Sequence, residues 1–388
     1  MKRRVAIAAA TIVALSAAGF FVLAAPITDR QMNRVVRPKL IPKPSAAAEA
    51  LMKAQPIVDL HADTLLWGRD LLAKNAHGHV DLPRLEAGGV GLQIFDAVTK
   101  TPRHLNIEKN DDSTDNVRLL GIAEHWPPRA LTSLLARAEL QADRLHEAAA
   151  ASEGRLRVIG TRAELQALLD ARKNGARTTG AMLGIEGAHA LEGEVANLAK
   201  LRDKGFRVIG LAHFFDNSFA GSAHGVKKGG LSADGRALVK AIEENAMVVD
   251  LAHSSQQTIA DVLALATRPV LVSHTGVRGT CSNARNLSDE QLRAIAKNGG
   301  LVGIGFWSTA VCGDDHAAIV RAVKHAIAIA GVDHVAFGSD YDGTVIVPFD
   351  ASGLPELIQA LLDANIASEH VAKIMGQNAL RFFAAALP

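Results

Sequence analysis

The chain is short of several things at once. Its 388 residues hold two cysteines, one tyrosine and only 4% aromatic residues. Two cysteines exclude a disulfide-dense scaffold and a cysteine-rich zinc module. The scarcity of aromatics leaves Leu, Ile, Val and Ala to fill the core. An excess of one charge is missing too, since 42 Lys and Arg stand against 40 Asp and Glu, a net charge of +2. Nothing in that balance argues for nucleic acid as a partner, where a basic stripe is expected. No internal repeat or low-complexity tract is evident. What is there is a globular composition, 48% apolar and 21% charged, with 15 histidines. The length suits one large domain or two ordinary ones.

The near-neutral total is unevenly spread. Lys2, Arg3 and Arg4 precede an uncharged run from Val5 to Ala25. Such a run is long enough to span a bilayer and long for the apolar part of a signal peptide. Cleavage after Ala24 is the competing reading. Arg30, Arg34, Arg37, Lys39 and Lys43 follow in a Pro-containing stretch and compete with the first three cations in setting orientation. The expected organisation is therefore a signal anchor or signal peptide over 1–26, a basic linker over 27–49, and one domain over 50–388. Residues 1–45 hold eight Lys/Arg and one Asp, so the remainder is net −5. The body is expected to be exported, either anchored on the periplasmic side of the inner membrane or released to the periplasm or extracellular space.

Along the body, short apolar runs alternate with helical stretches. Eight runs read as strands: Ile57–Asp63, Val90–Ala97, Ala181–Glu186, Val208–His213, Met247–His253, Pro269–His274, Leu301–Phe306 and His334–Asp340. Most are continuous rather than alternating, as parallel strands buried on both faces are. Ala130–Ala151 has helical spacing, Thr161 with Glu164 and Ser288 with Gln291 fit capping boxes, and Ser254 or Ser255, Asp314, and Asn365 to Ser368 are further helix starts. Lys100–Arg129 reads as an excursion between the second and third strands. Eight strand–helix units in this length predict an α/β fold, a (β/α)8 TIM-type barrel with insertions. A doubly wound sheet would want an early Gly-rich phosphate turn, which is missing.

Polar groups close these apolar runs. His61 and Asp63 end the first, Glu186 the third, His213 the fourth, His253 the fifth, His274 the sixth and Asp340 the eighth. In a barrel all of them converge on the C-terminal mouth, where such folds carry their sites. Buried together without a metal they would leave several costly unsatisfied polar atoms. Imidazole and carboxylate donors without thiolate suit zinc or a similar divalent ion. Even five ligands drawn from these seven residues exceed one open tetrahedral site and suit two ions sharing a carboxylate and a hydroxide, the arrangement of two-metal hydrolysis.

The segments VDLHAD, HVDLPRLEAGGVGLQ, GIEGAHAL, His213-x-x-x-Asn217, VDLAHSS, VLVSHTG, CSNARNLSDE, FGSDYDG and QNALRFF occur in this order. Through them the chain, from about Ile57 to Phe383, resembles the membrane dipeptidase (renal dipeptidase-like) metallopeptidases of the amidohydrolase superfamily. The resemblance implies two zinc ions, one held by His61 and Asp63, the other by His253 and His274, with Glu186 bridging. It implies His213 as the contact to the substrate carbonyl and its oxyanion. It implies Arg285 as the receiver of a dipeptide's free C-terminal carboxylate. Asp340 becomes the proton shuttle to the leaving amine, with Asp342 as the competing residue. The activity implied is hydrolysis of a small dipeptide by a metal-bridging hydroxide. The alternative is a related amidohydrolase acting on a β-lactam, lactone or modified peptide, or tailoring an exported metabolite. The membrane, through the N-terminal segment, and a second copy of the chain in a homodimer are the further partners the reading allows.

The family's disulfide implies a Cys281–Cys312 bridge between adjacent loops, which an exported body permits. Departures from the family pattern stand at His61-Ala62-Asp63, at Thr64-Leu65-Leu66, at the QIFDAVT segment and at Ser218-Phe219. All are expected to line side-chain pockets. His77, His79, His104 and His224 read as surface or loop histidines, and His189 as a residue that orients the site or packs behind it.

Overall fold

The computed structural model describes residues 21–388 together with Arg4 and Gly19. The expected export segment, 1–26, falls largely outside the described residues. Among the described residues, no helix is long and apolar enough to cross a membrane.

Eight parallel strands form the barrel: β1 (Ile57–Ala62), β2 (Val90–Val98), β3 (Thr179–Glu186), β4 (Phe206–Gly210), β5 (Val248–Asp250), β6 (Leu271–Thr275), β7 (Leu301–Ile304) and β8 (Val335–Phe337). Each pairs with its neighbour in sequence, and β8 returns to β1 through Phe337 opposite Asp59. The sheet is continuous around the ring because β2 pairs with β3 from Leu92 opposite Gly180 to Val98 opposite Glu186. Every residue of β1, β2 and β3 is buried, which is why their sequences run apolar without alternation. A short strand, Leu156–Val158, lies beside the start of β3.

Several expected strands end early. β4, β5 and β8 stop at Gly210, Asp250 and Phe337, so His213, His253 and Asp340 sit three residues out, on loops. His253 and Asp340 adopt left-handed backbone, φ +60° and +62°, a conformation that turns the chain and ends ladder pairing. The eight strands hold; His61, Glu186 and His274 stay within theirs, whereas His213, His253 and Asp340 belong to the turns that follow.

The helices start largely where side chains can cap them. Ser288 and Gln291 form both halves of a capping box over Asp289–Lys297, whose buried face is Leu292 and Ile295. Thr161 accepts from Glu164 N, but the Glu164 carboxylate turns to Gly160 N, so that box is half made. Ser255 caps Gln256–Leu265, and Asp315, one residue past the expected Asp314, caps His316–Ala330. Ser133 breaks the expected Ala130–Ala151 helix and caps Leu134–Ala151. The excursion after β2 carries the helix Asn116–Ala123.

Cys281 and Cys312 are joined in a disulfide across the loops after β6 and β7, Cα to Cα 5.2 Å. Closing a loop of 31 residues is worth about 3–4 kcal/mol by chain entropy. The N-terminal arm lies on the barrel. Residues 21–32 are helical, Arg34–Val35 pairs with Ile346–Val347, Arg37 bonds Glu356 at 2.6 Å, and Ala48 in the helix Ala46–Ala54 is fully buried.

Candidate metal centre

Glu186, the last residue of β3, stands at the middle of the barrel mouth. Its Oε1 lies 3.4 Å from His61 Nε2, 3.3 Å from His253 Nε2 and 3.4 Å from His274 Nε2. Its Oε2 lies 2.9 Å from His213 Nε2. His61 Nε2 is also 3.2 Å from Asp63 Oδ1 and 3.9 Å from Asp340 Oδ1. His253 and His274 direct their Nε2 atoms at each other, 2.9 Å apart. The structure thus brings His61, Asp63, Glu186, His213, His253, His274 and Asp340 into one cluster. Three overlapping groups could each hold a metal ion: His61, Glu186 and His274; Glu186, His213 and His253; His61, Asp63 and Asp340. Glu186 belongs to two of them, as a carboxylate shared between ions would.

The electrostatics fit a cation-binding site. Burial pushes the Asp63 carboxyl up to about 6, with the Glu186 charge adding to the effect. Burial raises Asp340 well above the carboxylate range as well, against the pull of His61. Glu186 is held well below it, because the His213 and His61 imidazoles outweigh its own desolvation. Burial lowers His253 and His274, keeping their ring nitrogens available as lone-pair donors. His61 Nε2, Asp63 Oδ1 and Glu186 Oε1 are buried and make no hydrogen bond among the described residues. Orphaned donors of this kind are expensive unless something binds them, and imidazole with carboxylate is the set that holds zinc or a similar ion.

A supporting layer was not singled out from the sequence. Asp96, inside β2, sits with Oδ2 3.1 Å from His61 Nδ1. This carboxylate fixes which ring nitrogen of His61 faces the cluster, as carboxylates behind metal-bound histidines do. Gly184 makes room for it, since a Cβ there would collide with the Asp96 carboxylate. Asp250, at the end of β5, accepts from Ser273 Oγ at 2.6 Å, and that hydroxyl lies 3.0 Å from His274 Nδ1. Asp59 accepts from Ser339 and Gln93 and ties β1 to the turn before Asp340. The signal available was a carboxylate inside an otherwise apolar buried strand, which must find a partner.

Arg285 is buried against the cluster. One Nη donates to His274 O at 2.7 Å, the guanidinium lies 5.9 Å from the Trp307 ring, and Nε has no partner among the described residues. Asp342 is otherwise engaged: it accepts from Thr64 Oγ1 at 2.8 Å and from His79 N at 2.7 Å, and pairs with Arg69 at 2.7 Å. Asp340, with no such ties, is the carboxylate left facing the cluster.

Two of the expected loop histidines are buried. His79 accepts from Asp342 N at 2.9 Å, and His224 contacts Ile107 O at 2.7 Å with its ring 5.1 Å from that of His253. Loops that fold over a barrel mouth bury the residues they carry, which a polar sequence context hides. His189 contacts Thr99 at 3.0 Å and stacks near His213; burial lowers it to about 3. It packs behind the site.

The model of the membrane dipeptidase family, peptidase family M19, matches residues 45–387. The chain belongs to that family. A dipeptidase of Aspergillus oryzae, aclJ, is 28% identical over 360 residues, covering 86% of this chain and 78% of that one. Among solved structures, a metallopeptidase of Rhodobacter sphaeroides liganded with a phosphinate mimic of the dipeptide L-Ala-D-Ala superposes with a TM-score of 0.70. It is 24% identical, covering 85% of this chain and 99% of that one. The probable dipeptidase PvdM of Pseudomonas aeruginosa superposes at 0.73, with 17% identity over 87% of this chain and 96% of that one. These likenesses agree with the barrel seen in this family member.

Proposed function

We propose that this chain is a binuclear zinc dipeptidase that cleaves dipeptides bearing a free C-terminal carboxylate. The observation that carries the reading is Glu186, one carboxylate within 3.4 Å of the imidazoles of His61, His253 and His274. His61 and Asp63 would hold one ion and His253 and His274 the other, with Glu186 between them. The chemistry two such ions supply is Lewis acidity toward the scissile carbonyl and a lowered pKa for water. The protein's own groups do the rest. His213 donates toward the oxyanion that develops on the carbonyl. Asp340 passes a proton to the leaving amine nitrogen. Arg285, with an unpaired Nε, receives the substrate carboxylate in a bidentate pair. A relative named as a dipeptidase and a metallopeptidase liganded with a phosphinate dipeptide mimic support the same reading.

Export is part of the proposal. Its supports are the three cations before the uncharged run of residues 5–25 and a disulfide, which suits an oxidising compartment. The division into 1–26, 27–49 and 50–388 is kept with it. Alkylation of the native cellular protein without prior reduction is expected to label neither cysteine; two labelled thiols contradict export.

The carboxylate reading is tested at Arg285. Arg285→Ala is expected to raise KM for free dipeptides by about 10–100-fold, the loss of a charge-assisted pair of roughly 1.5–3 kcal/mol. Dipeptide amides should be poor substrates for the parent and change little in the variant. Equal losses on both kinds of substrate would remove Arg285 from this role.

A further inference from the structure

A cavity of about 340 Å³ opens beside the metal-facing groups, with Asp63 and His213 in its wall. One side is barrel and excursion, including Leu66, Trp67 and Leu120. The other side is the N-terminal arm: Ala24, Thr28 and Met32, spaced four residues apart, present one face of the helix over 21–32 to the cavity. We propose that this helix is a specificity element that closes the pocket for the substrate's N-terminal side chain and selects dipeptides in which that side chain is large and apolar.

The helix is fastened there. Asp29 is buried and pairs with Arg69 at 2.9 Å; Arg69 pairs in turn with Asp342 at 2.7 Å, two residues beyond Asp340. Asn33 accepts from Thr344 N at 2.9 Å, and Arg34–Val35 pairs with Ile346–Val347. The loop that carries Asp340 is thus tied at three points to the arm. Asp29 spends its charge on this attachment, while Thr28 and Met32 on the same helix give the pocket small or apolar groups.

Which end of the substrate enters follows from Arg285. That residue does not line the cavity; it lines a separate small pocket together with His253, Leu251 and Gln291. A dipeptide whose carboxylate reaches Arg285 and whose carbonyl lies at Glu186 and His213 extends its N-terminal residue toward Asp63, into the cavity. The inference rests on the dipeptidase reading. It adds to it a segment outside the matched family region, which begins at residue 45. In the exported forms Ala24 belongs to the anchor or is removed by cleavage, so Thr28 and Met32 are the wall residues that both forms keep.

The test compares kcat/KM for Phe-Ala and Gly-Ala in the full chain. The parent is expected to favour Phe-Ala by at least about tenfold, the range one apolar pocket supplies. Thr28→Phe and Met32→Trp fill the cavity and should each cut that preference about tenfold or more, chiefly through KM for Phe-Ala. Ile27→Phe, on the same helix but outside the cavity, should keep the parent's ratio. A parent with no preference overturns the proposal. So does an unchanged ratio in both cavity variants while they stay folded by circular dichroism and still cleave Gly-Ala. A parent that cleaves neither dipeptide overturns this inference, and the dipeptidase reading falls with it only if a broad L,L and L,D dipeptide library is left intact as well.

Discussion

Replacing Asp340 by Asn is expected to lower kcat on a good dipeptide by about 10²–10⁴-fold while the metal content stays at the parent value. The basis is geometric. Asp340 Oδ1 is 3.9 Å from His61 Nε2, close enough to face the reacting groups. Unlike Asp342 it is not tied up by neighbouring donors, which leaves its carboxylate free to exchange a proton with a group held at the cluster. Its left-handed backbone, φ +62°, turns it into the mouth directly after β8. Asp342 has the same sequence credentials but is bound to Thr64, His79 and Arg69. The measurement is steady-state kinetics with metal analysis of the same preparation. A variant that loses metal in step with activity would show Asp340 to be a ligand, not a proton carrier.

Glu186→Gln is expected to cost more than about 100-fold in activity and to reduce bound metal from about two ions per chain to one or none. Loss of a residue that merely supports a ligand already costs about 10–100-fold, and Glu186 touches three imidazoles through a single oxygen. Glutamine keeps the size and removes the charge that faces these rings. Retention of two ions and of turnover would show that the clustering of His61, His253 and His274 around Glu186 has another purpose.

The barrel was legible because its strands are buried on both faces and therefore read as apolar runs. The cluster was legible because polar residues interrupt those runs at their ends. The same logic stopped one step short. Asp59, Asp96 and Asp250 lie inside strands, where a carboxylate is even less comfortable; Asp96 faces His61, Asp250 holds Ser273 beside His274, and Asp59 holds Ser339 beside Asp340. The expected pocket-lining departures divide. Leu66 and Val98 do line the cavity, whereas Phe219 is fully buried in the core. Nothing in residues 21–45 announced their attachment, because it depends on three-dimensional partners far along the chain. Asp29 finds Arg69, Asn33 finds Thr344 and Arg37 finds Glu356. The burial of His79 and His224 was hidden for the same reason.

The most direct test of the account is hydrolysis of a broad library of L,L and L,D dipeptides by the metal-loaded full chain, with metal content determined on the same sample. The account predicts about two divalent ions per chain, cleavage of free dipeptides, and loss of both on chelation. A fully loaded protein that leaves the whole library intact would contradict it.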